Sequence, residues 1–231
     1  MTEGWETKAL EVRNSARAAS RELRETLFLP ATQDAESTGT IRAGVATVDM
    51  TPDKPVYLDG YWGERLSTNV HDPLSVKALV LDDGRTRAAF VSLDLIAYYY
   101  QWVTHARSLQ KSVPEQNVVI AATHTHSSPC LVGLFGPPGA VDPAYVERVA
   151  QAIAHAIDDA AANLAPARFG FAEAAFPLRN GEIPNFSRNW HTPGNMDPTL
   201  LFMRVVEDAS EKPLLNLLNF GNHPDVLGDA T

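Results

Sequence analysis

The sequence predicts an α/β domain: a mixed β-sheet core with flanking helices, preceded by an amino-terminal helix. Three observations predict it. Short apolar runs bounded by turn residues recur from Ile41 to Phe220, as the strands of a sheet do. Between Val76–Leu81 and Ala88–Leu93 stands Asp82-Asp83-Gly84-Arg85, the composition of a tight hairpin turn. Two stretches of helical periodicity fall among the strands without strict strand–helix alternation, which favours a mixed sheet.

In chain order, residues 3 to 28 carry Leu10, Ala16, Ala19, Leu23 and Leu27 at helical spacing, and Pro30 stops the run. Acids and bases are interleaved along it, as on a solvated helix that rests one face on a domain. Residues 31 to 40 are small and polar and read as a linker. Residues 1–40 are thus an arm and 41–231 a domain. Ile41 to Val48 is a strand ended by Thr51-Pro52, and the hairpin pair follows it. Tyr98 to Lys111 reads as a helix. Asn117 to Ala122 is a short apolar run, which suits a buried central strand. Asp142 supplies an N-cap and Pro143 a first helical residue. Val146, Val149, Ala150, Ile153, Ile157 and Ala160 then make an apolar stripe to about Leu164. Arg168–Ala174, Leu200–Val206 and Leu214–Phe220 complete the strands.

Composition removes several classes of function. A net charge of −9, from 19 basic and 28 acidic residues, offers no basic face for nucleic acid. No run approaches the roughly 18 to 20 apolar residues of a membrane span. Met1 to Lys8 carries Glu3, Glu6 and Lys8 with no apolar run behind them. The cytoplasm is therefore the expected compartment, unless a longer precursor carries an export signal. The single cysteine, Cys130, excludes an internal disulfide framework, and no partner pattern near it marks a thiol nucleophile. Phosphate-binding glycine patterns, a nucleophile elbow and an HExxH helix are all missing from the sequence. The residues leave the oligomeric state open.

What remains is a set of histidines at strand ends. Thr123-His124-Thr125-His126-Ser127 directly follows the apolar run 117–122. In an extended segment residues two apart face the same side, so both imidazoles would project together from a strand end, where α/β sheets place their sites. Two neutral imidazoles supply half a tetrahedral zinc shell; the other reading is a pair of surface loop residues. Phe220-Gly221-Asn222-His223-Pro224 repeats the arrangement, an apolar strand delivering a histidine that Pro224 then isolates from the ladder. His71, beside Asp72, is a turn residue or a group supporting a site. Asp94, at the end of an apolar strand, caps the next helix or orients a metal-bound imidazole. Arg188 binds an anion or pairs with a surface acid. His105 and His155 read as solvated helix residues, and His191 lies in a loop between Pro and Gly residues.

In their order these blocks resemble the neutral/alkaline non-lysosomal ceramidases. Arg42-Ala43-Gly44-Val45-Ala46-Thr47-Val48-Asp49-Met50-Thr51-Pro52 is similar to the family's opening strand and turn, and Gly60-Tyr61 to the glycine-aromatic step after it. His71-Asp72-Pro73-Leu74, Val91-Ser92-Leu93-Asp94-Leu95, the paired-histidine string and Phe220–Pro224 follow in sequence, so the likeness covers about residues 41 to 231. The resemblance implies a zinc-dependent amidohydrolase of the N-acylsphingosine type, acting in sphingolipid metabolism on a lipid or small-molecule amide. It implies that His124 and His223 hold one zinc together with a glutamate and a tyrosine further on. His126 would then stand beside the attacking water and handle its proton, and Arg188 would stabilise the oxyanion or hold a polar substrate group. That glutamate and tyrosine, and a catalytic serine, are expected past Thr231, so the chain is expected to be cut short and inactive alone. Ser128-Pro129-Cys130 stands where the family has Gly-Pro-Gly. The aromatic run Tyr98-Tyr99-Tyr100 and the loop Leu131–Phe135 would line an acyl channel or serve packing. Two other readings fit the same residues: a zinc hydrolase of this fold acting on a non-sphingolipid amide or ester, and a catalytically incompetent domain that retains the histidine loops.

Overall fold

The computed structural model describes residues 40–176, 191 and 196–223. The predicted amino-terminal helix and Arg188 lie outside them. The described residues form an α/β fold: strands β1 (Arg42–Asp49), β2 (Ser75–Asp82) and β3 (Arg87–Leu93), helix α1 (Tyr100–Leu109), strand β4 (Val118–Ala122), helix α2 (Pro143–Ala162), and strands β5 (Ala165–Ala175), β6 (Thr199–Glu207) and β7 (Pro213–Phe220). The strands join in one mixed sheet of order β4-β3-β2-β1-β5-β6-β7. Every pairing is antiparallel except β3 with β4, which α1 connects as a crossover.

Local chemistry makes the elements that the sequence marks. In the β2–β3 turn, the Asp82 carboxylate accepts from the Gly84 N–H at 2.7 Å, and the Asp83 carboxylate accepts from Arg85 N–H at 2.9 Å and Thr86 N–H at 2.7 Å. Helix α2 opens with Asp142 accepting from the Ala144 N–H at 2.9 Å and Pro143 in the first turn. Its stripe of Val149, Ile153, Ile157 and Ala160 is fully buried.

Alternation along the strands builds two cores. Val76, Ala78 and Val80 of β2, with Ala46 and Val48 of β1, face α2 and form the larger one. The intervening Leu79 and Leu81, with Ala43 and Val45, face the other way and pack against Ala167, Met203, Val205, Leu215 and Leu217. Strands β5–β7 therefore fold back over the face of β1 and β2 opposite the helices. The seam is narrow: β1 and β5 pair only through Arg42 with Pro166 and Ala43 with Ala165.

One expectation is corrected. The apolar run before the histidine pair is the terminal strand of the sheet among the described residues, not a central one. Val118 is buried, but Val119 is half exposed, because helices cover only one face of β4. Apolar composition alone did not distinguish a strand covered on both faces from one covered on a single face.

Candidate metal centre

Folding the sheet back brings the ends of β4 and β7 together, although they are its two outermost strands. The ladder of β3 to β4 continues one step beyond the strand, with Thr123 N–H donating to Leu93 O at 2.8 Å and His124 N–H to Leu95 O at 2.9 Å. At His124 the backbone then turns into the left-handed region, with φ 63°. This conformation is uncommon for a residue with a Cβ and more accessible to His than to most. The expected extended alternation of His124 and His126 is thus not what aligns them. The turn does: the two ring centroids lie 5.1 Å apart. His223, three residues beyond β7, completes a triangle, with its ring centroid 4.9 Å from His124 and 4.7 Å from His126. His124 and His126 are half buried and His223 is exposed.

One nitrogen from each ring lies within 4.8 Å of the others. Nitrogens sharing a zinc with bonds near 2.0–2.1 Å stand about 3 to 4 Å apart, a spacing close to this upper bound. The donor set fits the metal in a second respect. Nδ1 of His124 lies 2.7 Å from the Ile96 carbonyl oxygen, and a carbonyl only accepts, so Nδ1 carries the proton. Nε2 is then the lone-pair atom, which is how a protein fixes the tautomer of a metal-binding histidine.

Below the triangle, the loop 123–132 is tied to the loop 56–67, which sequence reasoning did not place at the site beyond the Gly60-Tyr61 resemblance. Asp59 is fully buried, and its carboxylate accepts from Leu131 N–H at 2.8 Å and Val132 N–H at 3.1 Å. Asp59 N–H donates to Ser128 O, Cys130 N–H to Tyr57 O, and Leu58 pairs with Pro129. Arg65 Nη1 donates to the His126 carbonyl oxygen at 3.1 Å, and its guanidinium lies 4.8 Å from the Tyr61 ring centroid. No short-range pattern announces these partners, since more than 60 residues separate them along the chain.

The remaining candidates sort by position. Asp94 neither caps the next helix nor reaches an imidazole. Its carboxylate accepts from the Ser75 N–H at 3.0 Å and hydroxyl at 2.6 Å, pinning the start of β2 to the end of β3. The Ile96 carbonyl holds His124 instead. His71 stands in solvent with Nδ1 2.7 Å from Asp72. His105 meets Glu147 at 2.8 Å on the surface, and His155 and His191 are exposed. Ser128 and Cys130 point inward: Ser128 Oγ accepts from the Ile96 N–H at 3.1 Å, and burial, with Asp59 beside it, pushes the Cys130 thiol up to about 11. Leu131 is buried, and Tyr98 packs against the larger core. Tyr99 donates to Val132 O at 2.8 Å. Trp62, Leu66, Tyr99, Tyr100 and Leu134 offer large apolar surface to solvent around these loops, Trp62 with its ring centroid 5.5 Å from that of Phe135.

Compared with known proteins, the chain matches no protein-family model and no curated protein. Solved structures do match it. A ceramidase complexed with C2 aligns with a TM-score of 0.62, and neutral ceramidase from Pseudomonas aeruginosa with a TM-score of 0.63. Each is 21% identical, and each alignment covers 80% of this chain and 32% of the other. The chain therefore shares the fold of these enzymes over about a third of their length.

Proposed function

We propose that this protein is a metal-dependent hydrolase of the neutral-ceramidase type, which cleaves the amide bond of an N-acyl lipid. One observation carries the proposal: three histidines from two distant strand ends converge on a fold shared with solved ceramidases. His124 and His223 would hold a zinc ion. When bound, zinc supplies Lewis-acid chemistry, polarising the amide carbonyl and making water acidic enough to attack near neutral pH. His126 is assigned the proton of that water, a task suited to an imidazole. Arg188, outside the described residues, is assigned the developing oxyanion or a polar group of the substrate. Seating His124 through its Nδ1–H fixes the direction of its free lone pair before anything binds.

The buried side chains at 128 and 130 favour a second reading. They stand where the sequence resemblance leads one to expect glycines, and bulkier residues there would suit a non-sphingolipid amide or ester as substrate. A panel of N-acylsphingosines, short acyl amides and esters separates the two. The roles are tested by elemental analysis of the purified variants. His124→Ala is expected to lose its zinc; His126→Ala is expected to keep most of it and turn over slowly. Equal loss of zinc from both would make His126 a ligand and refute its assignment to the proton.

A further inference from the structure

Gly60 adopts φ +113°, and a Cβ built on it would lie 2.4 Å from Cγ, 2.5 Å from Cβ and 2.8 Å from Nδ1 of His126. No ordinary Cβ contact is that short, and the obstacle is the root of the imidazole rather than the end of a flexible chain. The ring lies directly on the Gly60 backbone. Its other surroundings complete a seat: the Tyr61 ring stands edge-on at 5.0 Å, and Arg65 holds the His126 carbonyl oxygen from the same loop. Asp59, the neighbour of Gly60, is buried and fixes the far side of the histidine loop through Leu131 and Val132.

We infer that Gly60 is a positioning residue for His126, and that the missing side chain at 60 is what lets this ring reach the triangle with His124 and His223. This rests on the reading of His126 given above. The same loop contains a control. Gly63 has φ +98°, so a side chain there meets comparable backbone strain, but its Cβ would find nothing within 4 Å. Gly60→Ala and Gly63→Ala thus share the conformational penalty, and only the first meets His126.

The test uses the full chain with isotopically labelled histidine at one fixed pH without metal. In Gly60→Ala the ring signals of His126 are expected to move, because the ring leaves the edge of Tyr61, while in Gly63→Ala they stay. Turnover of an N-acyl substrate by the metal-loaded protein is expected to fall about 100-fold in Gly60→Ala, the scale of a misplacement near 1 Å. Gly63→Ala should retain it. Adding Gly60→Ala to His126→Gly, which removes every contacted atom, is expected to lower turnover no further and to destabilise the fold no more than Gly63→Ala does. Should Gly60→Ala fail to fold, His126→Gly in the same chain is expected to restore folding; no restoration would overturn the inference. Unmoved His126 signals in Gly60→Ala, or equal movement in Gly63→Ala, would also overturn it. Moved signals in Gly60→Ala, with no zinc bound by the parent in elemental analysis, would support the positioning and count against the metal-dependent hydrolase reading.

Discussion

Asp82 shows how this sheet tolerates a buried carboxylate. Its side chain is 6% exposed and lies 3.0 Å from Arg42 and 2.8 Å from Arg87, each of which is partly in water. Burial alone would raise its pKa; the Gly84 N–H, Arg87 and Arg42 outweigh burial and hold the group below its ordinary value of 3.8. A carboxyl more acidic folded than unfolded adds stability above its unfolded pKa and loses it as pH falls through the folded one. Asp82→Asn is expected to lower unfolding free energy by about 1–3 kcal/mol at pH 7, measured in urea. The gap from the parent should narrow as the pH is taken below 3.8. At this scale the sequence was legible where the chemistry is local. Asp82 and Asp83 capping their own turn, and Asp142 capping its own helix, each need only residues a few positions away. His124 and His126 were singled out by residue type, but the left-handed turn that makes them converge has no marker in a His-Thr-His string. Gly60 beneath His126 was out of reach for the same reason, since nothing at position 60 names its partner.

Among the elements, α2 was read almost to its ends, because a cap, a proline and a stripe of period 3.6 agree. Helix α1 starts two residues later than predicted; Tyr99 at its N-cap makes no side-chain bond that would fix the boundary. Strand β4 misled because five apolar residues look alike on one covered face or on two. The contact of α2 with β1 depends on a single small residue. A Cβ on Gly44 would lie 2.0 Å from the Ala160 carbonyl oxygen and 3.0 Å from the backbone of Asn163 and Leu164. These are main-chain atoms at the end of a helix, and they cannot swing aside as a side chain does. Gly44→Ala is expected to destabilise the fold by about 3 kcal/mol, the upper end for an overpacked core, in denaturant unfolding. A loss under about 0.5 kcal/mol would mean that the helix end shifts freely.

For the whole molecule, the fold-back of β5–β7 matters more than any one strand. Two residue pairs join β1 to β5, yet beyond that seam Met203 and Val205 are buried against Ala43 and Leu79. A metal held by His124 and His223 would clasp the two outermost strands to each other. Zinc is therefore expected to raise the melting temperature of the parent, by mass action worth about 2.7 kcal/mol at a hundred times Kd, and to do little for His223→Ala. Differential scanning fluorimetry across a zinc series checks this. A shift of equal size in both proteins would place the stabilising metal elsewhere.

The separation of those ligands along the chain also decides when the site exists. His124 and His223 are about 100 residues apart, so their meeting is a long loop closure, set up only after the intervening strands have paired and turned back. In small zinc modules, ligands close together in sequence let the ion organise the chain from the start. Here the reverse order is expected: the triangle would assemble late on the folding path, once the sheet has closed.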